Sequence, residues 1–230
     1  MPLSPRFVRK DKFKMEIIKL PPMSNFGVNP YIVTAENMDG VLIDAPYGGE
    51  SIVKTVMEKG IELKMILLTH GHCDHIASAA HIAAATGAKI YIHKFDEDKL
   101  RNDRTNLTQY FSLPSIDPVE NAHTVSDGDV ITMDELEFEV LHTPGHTSGS
   151  VCYISGDNMF CGDTLFNGSM GRTDMIDGND EAMTDTLKML YEFDRNTNYT
   201  IYPGHGQTST MVEERQFNPY LRAAAGLRTR

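Results

Sequence analysis

Thr69-His70-Gly71-His72-Cys73-Asp74-His75 places three histidines and an aspartate within six residues, directly after the apolar run Met65-Ile66-Leu67-Leu68. That run reads as a buried strand ending at Thr69. Side chains two apart on extended backbone leave the same side, so His70 and His72 converge on one point just past the strand. The alanine-rich spacing that follows predicts a helix over Ile76–Thr86, with Asp74 and His75 at the turn into it. Imidazoles and a carboxylate are ligands for zinc, iron or manganese. One strand end therefore offers part-shells for two metal ions, and a polar loop of chance histidines is a poor account of this spacing.

A two-metal centre needs ligands from other strand ends, and three segments supply them. Leu136-Glu137-Phe138-Glu139-Val140-Leu141 alternates as a half-buried strand and breaks at His142-Thr143-Pro144-Gly145-His146. The strand Met159-Phe160-Cys161 ends in Gly162-Asp163-Thr164-Leu165-Phe166, and Tyr199-Thr200-Ile201-Tyr202 ends in Pro203-Gly204-His205-Gly206. In each, a ligand-type residue sits in a Gly/Pro turn, where the missing Cβ allows close approach of the backbone.

These residues, in this order from His70 to His205, resemble the ordered motifs of the metallo-β-lactamase superfamily, from about Met15 onward. The likeness is greatest to its glyoxalase II-like branch, because Gly162-Asp163-Thr164-Leu165-Phe166 is followed by Gly168-Ser169-Met170-Gly171-Arg172-Thr173-Asp174. The resemblance implies an α/β fold, an αββα sandwich of two mixed β-sheets flanked by helices. It further implies one metal on His70, His72 and His146, a second on Asp74, His75 and His205, and Asp163 shared between them. Asp74 and Asp163 are the candidate catalytic carboxylates, and a hydroxide shared by two divalent ions, zinc foremost with iron or manganese as alternates, would be the nucleophile. Dications about 4 Å apart lower the pKa of a shared water and polarise a carbonyl, so no serine or cysteine nucleophile is required. G-x-S-x-G, Walker, G-x-G-x-x-G and H-E-x-x-H signatures are all missing.

Several other residues invite a role. His142 lies across a Pro-Gly turn from His146 and is expected to support rather than ligate. His81, six residues after His75 in the expected helix, should face away from the site. His93 and His123 read as ordinary surface or loop histidines. Alternation turns Cys73 away from His72, which makes it passive, and Cys161 reads as core. Arg172 is a candidate to grip an anionic substrate group, although pairing with Asp174 or Asp177 to hold its loop is favoured. Met159, Met170, Met175, Met183 and Met189 read as core filler.

The 230 residues suit one hydrolase domain over 15–230 behind a basic tail over 1–14, with no repeat or linker to divide them. Helices are expected at Gly49–Lys59, Ile76–Thr86, Asp180–Phe193 and Met211–Tyr220, alternating with strands as in layered α/β folds. The irregular segment Phe95–Ala122 is expected to form a lid or wall beside the site. A net charge of −11, with the basic cluster Arg6, Arg9, Lys10, Lys12 and Lys14 confined to the tail, disfavours nucleic acid as a partner. No run approaches the about 18 apolar residues of a membrane helix, and the N-terminus lacks the apolar stretch of a secretory signal. Three cysteines do not suggest a disulfide framework, so a cytoplasmic protein is expected.

The branch it resembles implies hydrolysis of a small thioester such as an acylglutathione. The chain ends about 25 residues after His205 and lacks the helical C-terminal extension of full-length glyoxalase II enzymes, so it resembles short forms of the branch. The alternatives are a mononuclear iron persulfide dioxygenase, whose ligands would correspond to His70, His146 and Asp163, and a lactonase or other ester hydrolase on the same fold.

Overall fold

The computed structural model describes residues 15–227; the basic tail over 1–14 lies outside the described residues. The first half of the chain forms a six-stranded mixed sheet in the order β1 (Glu16–Lys19), β2 (Tyr31–Thr34), β3 (Asp39–Ile43), β4 (Glu62–Leu67), β5 (Lys89–His93) and β6 (His123–Val125). β1 to β3 pair antiparallel, and β3 to β6 run parallel. Helix α1 (Gly49–Lys59) joins β3 to β4, α2 (Cys73–Ile76) and α3 (Ala79–Thr86) join β4 to β5, and the segment over 94–122 makes the crossover from β5 to β6.

The second half forms another six-stranded mixed sheet from β7 (Val130–Met133), β8 (Leu136–His142), β9 (Val151–Ser155), β10 (Asn158–Gly162), β13 (Thr200–Pro203) and β14 (Ser209–Thr210), ordered β14-β13-β10-β9-β8-β7. A small hairpin of β11 (Leu165–Phe166) and β12 (Ser169–Met170) leads to helix α4 (Asp180–Glu192), and α5 (Met211–Phe217) and α6 (Pro219–Ala224) close the chain.

Three apolar clusters stack these elements into four layers. Val41 and Ile43 of β3 and Leu67 of β4 meet Phe138, Val140, Tyr153 and Phe160 between the sheets. The alternate residues Leu42, Ile66 and Leu68 point the other way, into Ile52 and Val56 of α1 and Ile82 of α3. On the far side, Cys152, Ile154, Met159 and Cys161 pack against Met183, Leu187 and Leu190 of α4 and Leu221 of α6. The expected αββα sandwich is the fold observed. The uninterrupted apolar runs in β4 and β10 are the consequence of strands buried on both faces.

Two expected helices are each divided. The helix expected over Ile76–Thr86 is α2 followed by α3, with a break at Ser78. There the Ser78 amide donates to the Ala45 carbonyl (2.9 Å) and its hydroxyl accepts from the Gly49 amide (3.0 Å), bonds that compete with continuous helix. The helix expected over Met211–Tyr220 breaks at Asn218, which is extended (ψ 115) as a residue before proline prefers, and whose side chain caps α6. In Phe95–Ala122 the regular structure is limited to a 3-10 turn at Glu97–Arg101, and the segment packs beside the site through the Asn106 carbonyl, which accepts from the Cys73 amide (2.8 Å).

Parallel pairing of β3, β4 and β5, together with β8, β10 and β13 sharing one direction, sends the loops after all six strands to one end of the sandwich. The sheets are tied at that end by the Val151 amide donating to the Thr69 carbonyl (2.9 Å). In open α/β architectures ligands collect at such carboxyl ends.

Candidate metal centre

Every ligand candidate lies on these loops. His70 and His72 follow β4, with His72 as the residue entering α2; Asp74 and His75 occupy the single turn of α2. His146 follows β8, Asp163 follows β10 directly, and His205 follows β13. The local chain is shaped to deliver them. Past β4 the Leu68 amide still donates to the Tyr91 carbonyl of β5 (2.9 Å), and the Thr69 amide after it turns to the Asp44 carboxylate (2.8 Å) instead of a neighbouring strand.

The donor atoms fall into three overlapping groups, each within 4.8 Å: His70, His72 and His146; His70, His75 and Asp163; and Asp74, His75 and His205. His72 Nδ1 stands 2.9 Å from His146 Nε2. Asp163 lies between the outer groups, Oδ2 being 3.5 Å from His146 Nε2 and 3.4 Å from His205 Nε2, and Oδ1 3.3 Å from His75 Nε2. His70, His72, His75 and His146 are buried, whereas the side chains of Asp74 and His205 are 13% and 26% exposed, so the cluster opens to solvent on their side.

Three of the five rings are held from behind. The Asp44 carboxylate accepts from His75 Nδ1 (2.8 Å) and the Arg172 carbonyl from His146 Nδ1 (2.7 Å), while His70 Nδ1 contacts the Thr69 hydroxyl (3.2 Å). Fixing one nitrogen as a donor leaves the opposite one with a free lone pair aimed into the cluster.

The residues fit a pair of divalent ions. His70 Nε2 and Asp163 Oδ1 are buried without a hydrogen-bond partner, which a folded protein tolerates where a ligand is to be met. The donor set is imidazole and carboxylate, suited to zinc, iron or manganese alike. Burial, reinforced by neighbouring imidazoles, pushes His70 well down and His72 to about 3, so both are neutral lone-pair donors at physiological pH. Burial acts the same way on His75 and His205, but Asp163 with its neighbouring carboxylates outweighs it, lifting His75 well above its ordinary value and His205 to about 9. Against its own burial, Asp163 is held far below the carboxylate range by His75 and His205. Metal-free, the second group is thus an ion-paired cation–anion cluster whose protons an ion must displace.

The secondary candidates have distinct fates. His142 bonds the Ser148 carbonyl (2.8 Å) and stacks on His93 at 4.2 Å, the supporting role expected of it. His93 itself, expected at the surface, is buried on β5: its ring fills the space beneath His142, and burial lowers it to about 4. His81 is exposed on α3 and His123 is exposed with its ring on Tyr91, both away from the cluster. Cys73 is buried outside the ligand groups, and Cys161 is core. The Arg172 guanidinium, more than half exposed, grips Asp174 through two bonds (2.6 and 2.8 Å). Met159 and Met183 are core; Met170 and Met189 pack against it.

Two residues at the site escaped the sequence reading, Asp44 and Asp96. Both follow an apolar strand, as Asp163 does, and the same strand-end rule applied to Val41-Leu42-Ile43-Asp44 would have found the first.

Four layers with five imidazoles and two carboxylates gathered at one strand-end edge define an α/β protein with a candidate metal-binding centre. The chain belongs to the metallo-beta-lactamase superfamily, whose description matches residues 24–205. Among curated relatives, it is 30% identical to hydroxyacylglutathione hydrolase GloC of Haemophilus influenzae over 89% of this chain and 97% of that one. Among solved structures, it is similar to the B3 metallo-beta-lactamase BLEG-1 (TM-score 0.83, 25% identity, 90% of this chain and 99% of that one). A di-iron-bound form of TTHA1623 is similar at TM-score 0.78 and 28% identity, over 88% and 99% of the two chains. Among the described residues no helix is long and apolar enough to cross a membrane.

Proposed function

We infer that this chain is a dinuclear metal-dependent hydrolase of a small thioester of the hydroxyacylglutathione class. The observation that carries the reading is the placement of Asp163 between two ligand groups, 3.5 Å from His146 on one side and 3.3–3.4 Å from His75 and His205 on the other. The likeness to hydroxyacylglutathione hydrolase GloC over nearly the full length of both chains supports the substrate class.

His70, His72 and His146 would hold one ion, Asp74, His75 and His205 the other, and Asp163 would serve both. Bound there, two divalent ions would supply a hydroxide nucleophile at neutral pH and would polarise the thioester carbonyl. The chain's own groups set the geometry. Asp44 keeps the His75 proton on Nδ1 and the Arg172 carbonyl keeps the His146 proton on Nδ1, so each Nε2 faces inward. Asp74 and Asp163 offset the positive charge and are already ionised, so the protons that loading displaces are those of His75 and His205. Substrate enters on the side where Asp74 and His205 meet solvent.

Elemental analysis of metal-grown protein beside an S-lactoylglutathione hydrolysis assay tests the reading. Two metals per chain with turnover supports it. One iron, no hydrolysis and oxygen uptake with glutathione persulfide replaces it with the dioxygenase, and turnover of lactones alone with the other ester hydrolase.

A further inference from the structure

We propose that Asp96, working with Lys99, is the positioning residue of the three-imidazole half of the centre, a role that rests on the two-ion reading above. Asp96 lies three residues beyond β5, is fully buried, and belongs to none of the ligand groups. Its Oδ2 accepts from the Gly71 amide (2.7 Å) and the Thr147 hydroxyl (2.8 Å), and its Oδ1 from the Gly149 amide (2.9 Å) and Lys99 Nζ (2.6 Å). Gly71 separates His70 from His72, and Thr147 directly follows His146. One carboxylate therefore fastens together the two loops that carry all three imidazoles, and His72 Nδ1 and His146 Nε2 consequently stand 2.9 Å apart although 74 positions separate them in the chain.

Lys99 extends the tie. Its buried ammonium reaches Asp177 (2.8 Å), whose Oδ2 also accepts from the Ser148 amide (3.0 Å) and hydroxyl (2.7 Å). Asp177 stands in the loop that follows Arg172, whose carbonyl orients His146. The loops leave no slack around the pair. A Cβ at Gly71 would come within 2.6 Å of Lys99 Cβ, and one at Gly149 within 2.5 Å of Asp96 Cγ. Burying a carboxylate and an ammonium is at best a weak source of stability, because desolvation offsets their attraction. What this pair does supply is directional: three bonds from Asp96, to Gly71, Thr147 and Gly149, that hold two ligand loops in register. His75, by contrast, is oriented by Asp44, so the two half-sites are tuned by different carboxylates.

The test is a cobalt(II) titration of chelator-stripped full-length protein, read by absorption and by competition with a chelator of known affinity. The variant is Asp96→Asn combined with Lys99→Met, which removes both charges and leaves no buried ion unpaired. A merely structural ion pair predicts that the double variant recovers wild-type behaviour. The positioning role predicts that it folds, by near-UV circular dichroism, binds one cobalt as wild type does, and holds the other at least about tenfold more weakly. Two unchanged cobalt affinities overturn the proposal. Thr147→Val, which removes one bond to Asp96 without changing charge, carries the same test should the double variant not fold: severalfold weaker binding of one ion supports the role, and unchanged binding overturns it. A wild type that binds two ions beside unchanged variants refutes the positioning role alone, whereas a wild type that binds none refutes the metal centre as well.

Discussion

Asp44→Asn is the perturbation whose consequence the geometry specifies most fully. Asp44 is buried at a left-handed backbone position (φ 60) that asparagine adopts readily, so the substitution changes chemistry without straining the chain. Oδ1 accepts from the Thr69 amide (2.8 Å) and Oδ2 from the Thr69 hydroxyl (2.9 Å) and His75 Nδ1 (2.8 Å). An asparagine can keep the Thr69 amide satisfied with its carbonyl, and its NH2 must then face His75 Nδ1. That nitrogen becomes an acceptor and the ring proton moves to Nε2, the atom needed for the second ion. A charge-assisted hydrogen bond of this kind contributes about 1.5–3 kcal/mol. Taking about 2 kcal/mol, the second ion should bind about 30-fold more weakly, inside the range of about 10–100-fold typical of groups that orient metal ligands. Competition titration with a fluorescent zinc chelator reads both affinities separately. Wild-type affinity at both sites in a folded Asp44→Asn protein would refute the orienting role of this carboxylate.

Asp163→Ala should remove hydrolysis and reduce metal content at both half-sites, because its oxygens face both; near-normal activity sinks the shared-ligand assignment. Metal-free protein should lose stability as pH rises. His205 is lifted, against its burial, by Asp163 and Asp74 from 6.5 to about 9, so the stabilisation is complete below about 6.5 and disappears as pH climbs through about 9. Urea unfolding of chelated protein at pH 6 and pH 9.5 measures it, and a loss no smaller in His205→Asn than in wild type contradicts the assignment. Arg172→Met should leave stability essentially unchanged in thermal unfolding, since the exposed pair with Asp174 is screened. Its metal content should not change, because the group that orients His146 is the backbone carbonyl. A large rise in KM with unchanged kcat in that variant would instead assign the guanidinium to the substrate.

The strand ends and the residues placed on them were legible because ligand chemistry is local: a His or Asp in a Gly/Pro turn after an apolar run needs little tertiary information to be recognised. Helix α1 was legible to its bounds for a similar reason, with Gly60 closing it in a left-handed conformation. The breaks at Ser78 and Asn218 were less so. Ser78 is set by the Ala45 carbonyl and the Gly49 amide, bonds from a distant segment, whereas the Asn218-Pro219 pair carried a local signal that the apolar spacing masked. Asp44 carried the same strand-end signal as Asp163, whereas Asp96 was hidden because its partners, the Gly71 and Gly149 amides, arrive from elsewhere in the chain, and His93 because its burial depends on His142 stacking across from β8.

The measurement that bears most directly on the proposed dinuclear thioester hydrolysis is metal stoichiometry determined on the same preparation as S-lactoylglutathione turnover, with chelator-stripped protein titrated back. Activity that appears only as the second equivalent of a divalent ion binds is the predicted result. Full hydrolysis at one equivalent, or two bound ions with no thioester turnover, would contradict it.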